Sequence, residues 1–214
     1  MLYGTAYKNC FYMLKFIYGT MSSGKSLHLL ATAYSFQEHK IPFLTLKSKI
    51  DDRDGENVVY SRALGKRECV MISVDDNIFY LISKYLQISN SKLKYILVDE
   101  AQFLTEKQVD ELAAISDILK INIICYGLKT DFKTKLFPGS KRLIEISDEI
   151  QELPSICYCG NNTMFNARIN ANKEIVTDGN QIEVGGDDRY VALCRKCYFE
   201  KTGNKFYVKN NDDE

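Results

Sequence analysis

Five short apolar runs alternate along the chain with longer stretches in which apolar residues recur every three or four positions. The runs are Leu14-Lys15-Phe16-Ile17-Tyr18, Phe43-Leu44-Thr45-Leu46, Cys69 to Ser73, Lys94-Tyr95-Ile96-Leu97-Val98, and Ile121 to Tyr126. Each has the length of a strand, and the last two are apolar at nearly every position, which suits strands buried on both faces. Between them, Leu27, Leu29, Leu30, Ala33 and Tyr34 fall at helical spacing, as do Ile78, Leu81, Ile82 and Tyr85 behind the acidic pair Asp75-Asp76. Thr105-Glu106-Lys107-Gln108 has the form of a capping box, and Val109, Leu112, Ala113 and Ile115 continue it as an amphipathic helix. Strands alternating with helices predict an α/β fold built on a parallel sheet covered on both sides.

Beyond Leu153-Pro154 this periodicity stops and Gly, Asn and Cys become frequent. The change divides the chain into a main α/β domain over 13–150 and a smaller domain over 151–208. Residues 1–12, which carry no usable pattern, and the acidic end at 209–214 are expected to be a flexible extension and a disordered tail.

The first strand runs into Gly19-Thr20-Met21-Ser22-Ser23-Gly24-Lys25-Ser26, a G-x-x-x-x-G-K-[ST] phosphate loop. Glycines let successive backbone N–H groups curl inward onto phosphate oxygens. Lys25 reaches the β- and γ-phosphates, the Ser26 hydroxyl takes a place on Mg²⁺, and the following helix presents its N-terminus to the anion. Strand, glycine loop and helix come in the required order, so the loop is read as a nucleoside-triphosphate site. The apolar strand ending in Asp99-Glu100 then supplies Asp99 as the carboxylate that holds Mg²⁺. Glu100, its neighbour, projects differently and is available for another role. The charge-dense segment from Lys47 to Gly55 follows a strand C-terminus, where open α/β sheets place ligands, although a solvated loop explains its composition equally well.

The 214 residues hold 28 Lys+Arg and 28 Asp+Glu, a net charge of zero that weighs against a general nucleic-acid binder. With no span-length apolar run and no leader-like N-terminus, a cytoplasmic location without membrane contact is expected. In that setting seven cysteines point to metal or free thiols rather than disulfides. Cys10, Cys69 and Cys125 are scattered and read as small buried hydrophobes. Cys157-Tyr158-Cys159-Gly160 and Cys194-Arg195-Lys196-Cys197 form two knuckles able to enclose structural Zn²⁺. The first is one residue shorter than the usual spacing, and Gly160 relieves the tight turn. A redox C-x-x-C and unligated thiols are the competing readings. The glycine pair of Ile182 to Val191 between the knuckles fits a hairpin or a loop laid over a ligand, and spacing does not choose between them.

Taken together, GTMSSGKS, the IDDR of Ile50 to Arg53, the VDEAQF of Val98 to Phe103, the YGLKTDF of Tyr126 to Phe132, the CYCG at Cys157, the VGGDDRYVALC of Val184 to Cys194 and the final CRKC resemble one family. It is that of the zinc-containing, RecA-like thymidine kinases, and the C-x-C-G knuckle is similar to that of bacterial members. The likeness runs from about Met13 to Tyr198. It implies a RecA-like phosphate-loop domain with a C-terminal zinc ribbon, and transfer of the ATP γ-phosphate to the 5′-hydroxyl of deoxythymidine. It implies Glu100 as general base, Arg53 beside the transferred phosphoryl group together with Lys25, and Asp51 close to the metal. Gln102, Phe103, Leu128 and Phe132 would form the base pocket, with Met21 near the thymine methyl. A zinc-anchored lasso, Gln181, Ile182, Glu183, Val184 and Gly185 with Tyr190, would close over the nucleoside. The resemblance also implies a homotetramer and feedback inhibition by dTTP. Removing zinc is expected to weaken nucleoside binding before ATP binding. The rival reading is an ATP-driven nucleic-acid motor with a zinc ribbon, which would want an exposed basic stripe; a non-catalytic nucleotide-binding scaffold would leave Glu100 without a purpose. No stable nucleic-acid partner is expected.

Overall fold

The structure, a computed structural model, describes residues 12–51, 55, 57–61, 63–181 and 189–203. In chain order the elements of the main unit are β1 (Leu14–Tyr18), α1 (Lys25–Glu38), β2 (Phe43–Ser48), β3 (Val58–Ser61), β4 (Gly65–Glu68), β5 (Val70–Ile72), α2 (Ile78–Ser89), β6 (Tyr95–Asp99), α3 (Glu106–Leu119), β7 (Asn122–Gly127), α4 (Pro138–Ile146) and β8 (Glu149–Glu152). Six of the strands form one sheet in the order β5-β2-β6-β7-β1-β8, with every neighbouring pair parallel. The parallel α/β sheet expected from the apolar runs is therefore present. β7 lies between the strand that feeds the phosphate loop and the strand that ends in Asp99.

Both faces of the sheet are covered, which is why β1, β6 and β7 are apolar at consecutive positions. Phe16, Ile96, Val98, Ile123 and Cys125 pack on one side with residues of α2, α3 and α4. Ile17, Leu97 and Tyr126 pack on the other with Leu29, Leu30 and Ala33 of α1 and Val59 of β3. Side chains alternate along a strand, so each run feeds two cores at once.

The helix starts differ in an informative way. The Asn77 side chain caps α2 by accepting from the Tyr80 N–H (2.7 Å), and Glu111 accepts from the Ile78 N–H (2.7 Å). At α3 both halves of the Thr105/Gln108 capping box are made, as its sequence predicts. Gln108 Nε2 also donates to the carbonyls of Ser73 and Asp76, which ties α3 to the segment before α2. By contrast α1 starts at Gly24, in a left-handed conformation (φ 84°), without a side-chain cap.

The last third of the described chain is a small unit. β9 (Phe165–Ile169) pairs antiparallel with β10 (Ile175–Val176) and β11 (Tyr190–Leu193), and α5 (Arg195–Lys201) follows. Its own core gathers Cys157, Ala167, Leu193, Cys194, Cys197 and Tyr198. β8, four mostly exposed residues, joins the main sheet beside β1 at the position where the composition changes. Among the described residues no helix is long and apolar enough to cross a membrane.

Candidate active site

β1 delivers the chain to the phosphate loop, and close packing at Gly19 requires glycine. A Cβ there would lie 2.3 Å from Ser23 Oγ and 2.8 Å from the Leu153 carbonyl oxygen. The Lys25 ammonium folds back onto the loop and donates to the Thr20 carbonyl (2.7 Å). Ser23 Oγ is buried without a hydrogen-bond partner. With the start of α1 lacking a side-chain cap, these are the features of a cradle shaped for an anion: a curled backbone, a cation lying on the loop and a buried hydroxyl at its centre.

Ser26 Oγ donates to Asp99 Oδ2 at 3.4 Å, so the loop and the tip of β6 meet as the motifs require. A hydroxyl and a carboxylate side by side are the hard oxygen donors that Mg²⁺ prefers, and the residues present fit that ion. Asp51 is 1% exposed and hydrogen-bonds the Glu100 side chain. Glu100 leaves the strand in a left-handed conformation (φ 52°), with its carboxyl buried beside those of Asp99 and Asp51. Gln102 Nε2 donates to Glu100 Oε2 (2.5 Å), while Gln102 Oε1 accepts from the Leu128 N–H (3.0 Å). One amide thus bridges the acid to the end of β7. Gly127 makes this possible, since a Cβ there would lie 2.7 Å from Gln102 Oε1 and 3.0 Å from Gln102 N.

Burial, with Asp99 and Asp51 beside it, pushes the Glu100 carboxyl up to about 8, against the pull of Lys25. Two adjacent buried carboxyls cannot both ionise cheaply, so the surroundings of Glu100 favour its protonated form. Burial also raises Asp99, and Lys47 is the main charge holding it down. Lys47 stands opposite Asp99 in the pairing of β2 with β6 and is 1% exposed. This lysine is a site residue that the sequence did not single out. It lies in a charged run that reads equally well as solvated loop, and only the pairing register places it inside.

At the end of the segment that follows β7, Phe132 is buried at 2%, and the Arg168 guanidinium sits 3.8 Å from its ring centroid. Arg168 also donates to the Tyr190 hydroxyl (3.2 and 3.0 Å) and to the Asn180 carbonyl (2.9 Å). Gln181 Nε2 donates to Asp131 Oδ2 (2.9 Å), and the Tyr198 hydroxyl donates to the Phe132 carbonyl. The 128–132 segment is therefore joined to the small unit at several points. Phe103 and Leu128 are half-buried, Phe103 packing edge-on to Phe137. The Met21 N–H donates to Asn166 Oδ1 (2.8 Å) and the Thr20 hydroxyl meets that of Thr163 (2.8 Å). Neither Asn166 nor Thr163 carries a sequence signal for this role, because the contact joins segments over 140 residues apart. Arg53 and the lasso residues Ile182, Glu183, Val184 and Gly185 lie outside the described residues.

The four late cysteines converge: the sulfurs of Cys157, Cys159, Cys194 and Cys197 all lie within 4.8 Å of one another, and Cys159 and Cys194 are 3.5 Å apart. A tetrahedral ion about 2.3 Å from each sulfur sets S···S at about 3.8 Å, so the set fits Zn²⁺. Gly160, with φ 89°, makes the tight turn of the short knuckle, its N–H donating to the Cys157 carbonyl (2.8 Å). The second knuckle is the start of α5, where Cys194 Sγ accepts from the Cys197 N–H (3.4 Å).

The family profile described as thymidine kinase matches residues 12–198. The chain is 45% identical over 188 residues to a thymidine kinase of Pasteurella multocida, covering 88% of this chain and 97% of that one. It is 42% identical to one of Mannheimia succiniciproducens (89% and 96% covered) and 39% identical to one of Zymomonas mobilis (88% and 96%). Among solved structures, a Pif1 helicase from Candida albicans aligns at a TM-score of 0.39 and 12% identity over 66% of this chain and 36% of that one, too weak a likeness to carry an argument. The phosphate loop, the acid pair at the tip of β6 and the four-cysteine cluster thus meet in one molecule with relatives matched over almost their whole length, and the chain belongs to the thymidine kinase family.

Proposed function

We propose that this enzyme transfers the γ-phosphoryl group of ATP to the 5′-hydroxyl of deoxythymidine, giving dTMP and ADP. The observation that carries the reading is the position of Glu100. Its carboxyl stands beside Asp99 and Asp51, at the strand tip that meets the phosphate loop, with its orientation set by Gln102. The 5′-oxygen forms a bond to phosphorus as the bond to the β-phosphate oxygen breaks, and the hydroxyl proton passes to Glu100, which must be ionised to receive it. Lys25 leaves the Thr20 carbonyl to bind the β- and γ-oxygens, and Arg53 adds positive charge at the transferred group. A loose phosphoryl transition state is served by such positioning and charge more than by strong nucleophile activation. Ser26 and Asp99, with Asp51 close by, would hold Mg²⁺, which would supply charge neutralisation on the phosphates.

In the same reading Gln102, Phe103, Leu128, Phe132 and Met21 line the base pocket, and Gln181 to Gly185 with Tyr190 close over it. Cys157, Cys159, Cys194 and Cys197 would hold the Zn²⁺ that would anchor that loop. A main unit over 13–150 and a zinc unit over 151–208, assembly as a homotetramer, inhibition by dTTP and a cytoplasmic location complete the proposal on the strength of family membership. A phosphotransfer assay with ATP–Mg²⁺ and a panel of deoxynucleosides tests it. ADP release that depends on thymidine is expected, and release indifferent to any nucleoside would overturn it.

A further inference from the structure

We propose that Thr163 and Asn166 of the cysteine-rich unit are positioning residues of the phosphate loop, so that the metal which organises this unit also holds the ATP subsite in shape. The proposal rests on the reading of Gly19 to Ser26 as a nucleotide cradle, but not on thymidine as the acceptor.

Two hydrogen bonds carry it. Thr163 Oγ1 donates to the Ser155 carbonyl (3.2 Å) and so has committed its only proton. The contact with Thr20 at 2.8 Å must then run from the Thr20 hydroxyl to Thr163. Asn166 Oδ1 accepts from the Met21 N–H at 2.8 Å. Thr163 and Asn166 are each 4% exposed and Thr20 is 6% exposed, so the Thr20–Thr163 bond is buried, while the bond from the half-buried Met21 ends on a buried acceptor. The bonds grip Thr20 and Met21, consecutive residues in the first half of the loop, and the Ser23 N–H closes back onto the Thr20 carbonyl (3.3 Å), so the anchored half is coupled to the half that runs into α1.

Each pin is tied to a different cysteine knuckle. Thr163 is two residues from Asn161, whose carbonyl accepts from the Cys157 N–H (2.8 Å) and whose Nδ2 donates to Cys159 Sγ (3.4 Å). Asn166 lies on β9 opposite Ala192 of β11, two residues before Cys194. A metal bridging the two knuckles fixes the spacing of the two pins. Without it, each can drift with its own turn, and the loop spends less time in the shape that binds phosphate. Apparent affinity falls in proportion to the competent fraction. The sequence leads one to expect nucleoside binding to suffer first on zinc loss; these contacts place the nucleotide at equal risk.

The test is calorimetric titration of the full zinc-loaded chain with ADP–Mg²⁺, which needs no nucleoside. Thr163→Val and Asn166→Ala are each expected to raise the ADP dissociation constant about three- to tenfold, the range of one lost buried hydrogen bond. Zinc content and melting temperature are checked in parallel. Thr163→Ser, which keeps the hydroxyl, should stay within about twofold of the parent. Stripping zinc with a chelator should weaken ADP binding at least as much as the double variant. Unchanged ADP affinity in both single variants at full zinc content would overturn the proposal, as would stripped protein that binds ADP normally. If the stripped chain unfolds, the variants at full zinc decide alone. Should thymidine not be turned over while ADP binding responds as stated, the proposed function fails and this inference stands.

Discussion

Lys47 and Asp99 face each other across the parallel pairing of β2 and β6, the lysine 1% and the aspartate 3% exposed. The lysine is the main charge that offsets burial of Asp99, in a cluster that also holds Asp51 and Glu100. Removing one member of a buried charge group costs roughly 3–5 kcal/mol, because the rest is left uncompensated. Lys47→Met should therefore lower the melting temperature sharply in metal-free buffer. Added Mg²⁺ should then recover more stability in the variant than in the parent, since a cation replaces a cation. Equal recovery in both would mean that Lys47 is not the charge that balances this site.

Glu100→Ala should lower kcat by roughly 10²–10⁴, the usual contribution of a positioned general base, while nucleoside affinity stays near that of the parent. Steady-state kinetics paired with a nucleoside titration separates the two effects. Unaltered turnover would remove Glu100 from the chemistry.

The same acid makes stability depend on pH. In the metal-free fold Glu100 is raised from 4.5 to about 8, so over that interval the native state keeps a proton that the unfolded chain releases. Stability contributed by this group is fully present below pH 4.5 and is lost as pH rises through 8. Asp99 is raised as well and acts with the same sign. Denaturant titrations across this window should show falling stability in the parent and a shallower fall in Glu100→Gln.

Gly127→Ala and Gly139→Ala should part company. At 127 the new methyl group meets the Gln102 side-chain oxygen at 2.7 Å and the Gln102 backbone nitrogen at 3.0 Å. Moving that amide releases Glu100, so kcat should fall with a stability loss of about 1–3 kcal/mol. At 139 it meets the backbone oxygens of Ala101, Leu104 and Gln102 at 2.5, 2.7 and 3.0 Å, where no side chain can turn aside. That variant should lose more stability, measured by thermal melting.

What could be read before folding was whatever announces itself locally. The apolar runs of β1, β6 and β7 are dictated by burial on both faces, and the loop from Gly19 to Ser26 is dictated by the geometry of phosphate. The cysteine knuckles were legible as a candidate metal site despite the short spacing of the first, and their sulfurs do converge. β8 escaped because an edge strand with exposed Glu149 and Glu152 needs no apolar pattern. The β3–β4 hairpin escaped for a similar reason, with three of the four β4 residues exposed. Lys47 and the pair Thr163 and Asn166 are invisible for a different reason: their roles are created by register and by contacts between distant segments. A lysine in a polar run and an asparagine in a weak strand look like surface until the tertiary partner is known.

The bare start of α1 has a consequence for how the molecule reports its own occupancy. α2 and α3 are capped by their own side chains, whereas no capping side chain reaches the start of α1, where Lys25, Ser26 and Leu27 contribute the amides of the first turn. A phosphate supplies what the sequence withholds, so the ligand completes the helix as a capping residue would. Hydrogen exchange at those three amides then becomes a built-in gauge: rapid in the empty protein, slowed when a nucleotide arrives, while the first turns of α2 and α3 keep a constant pace.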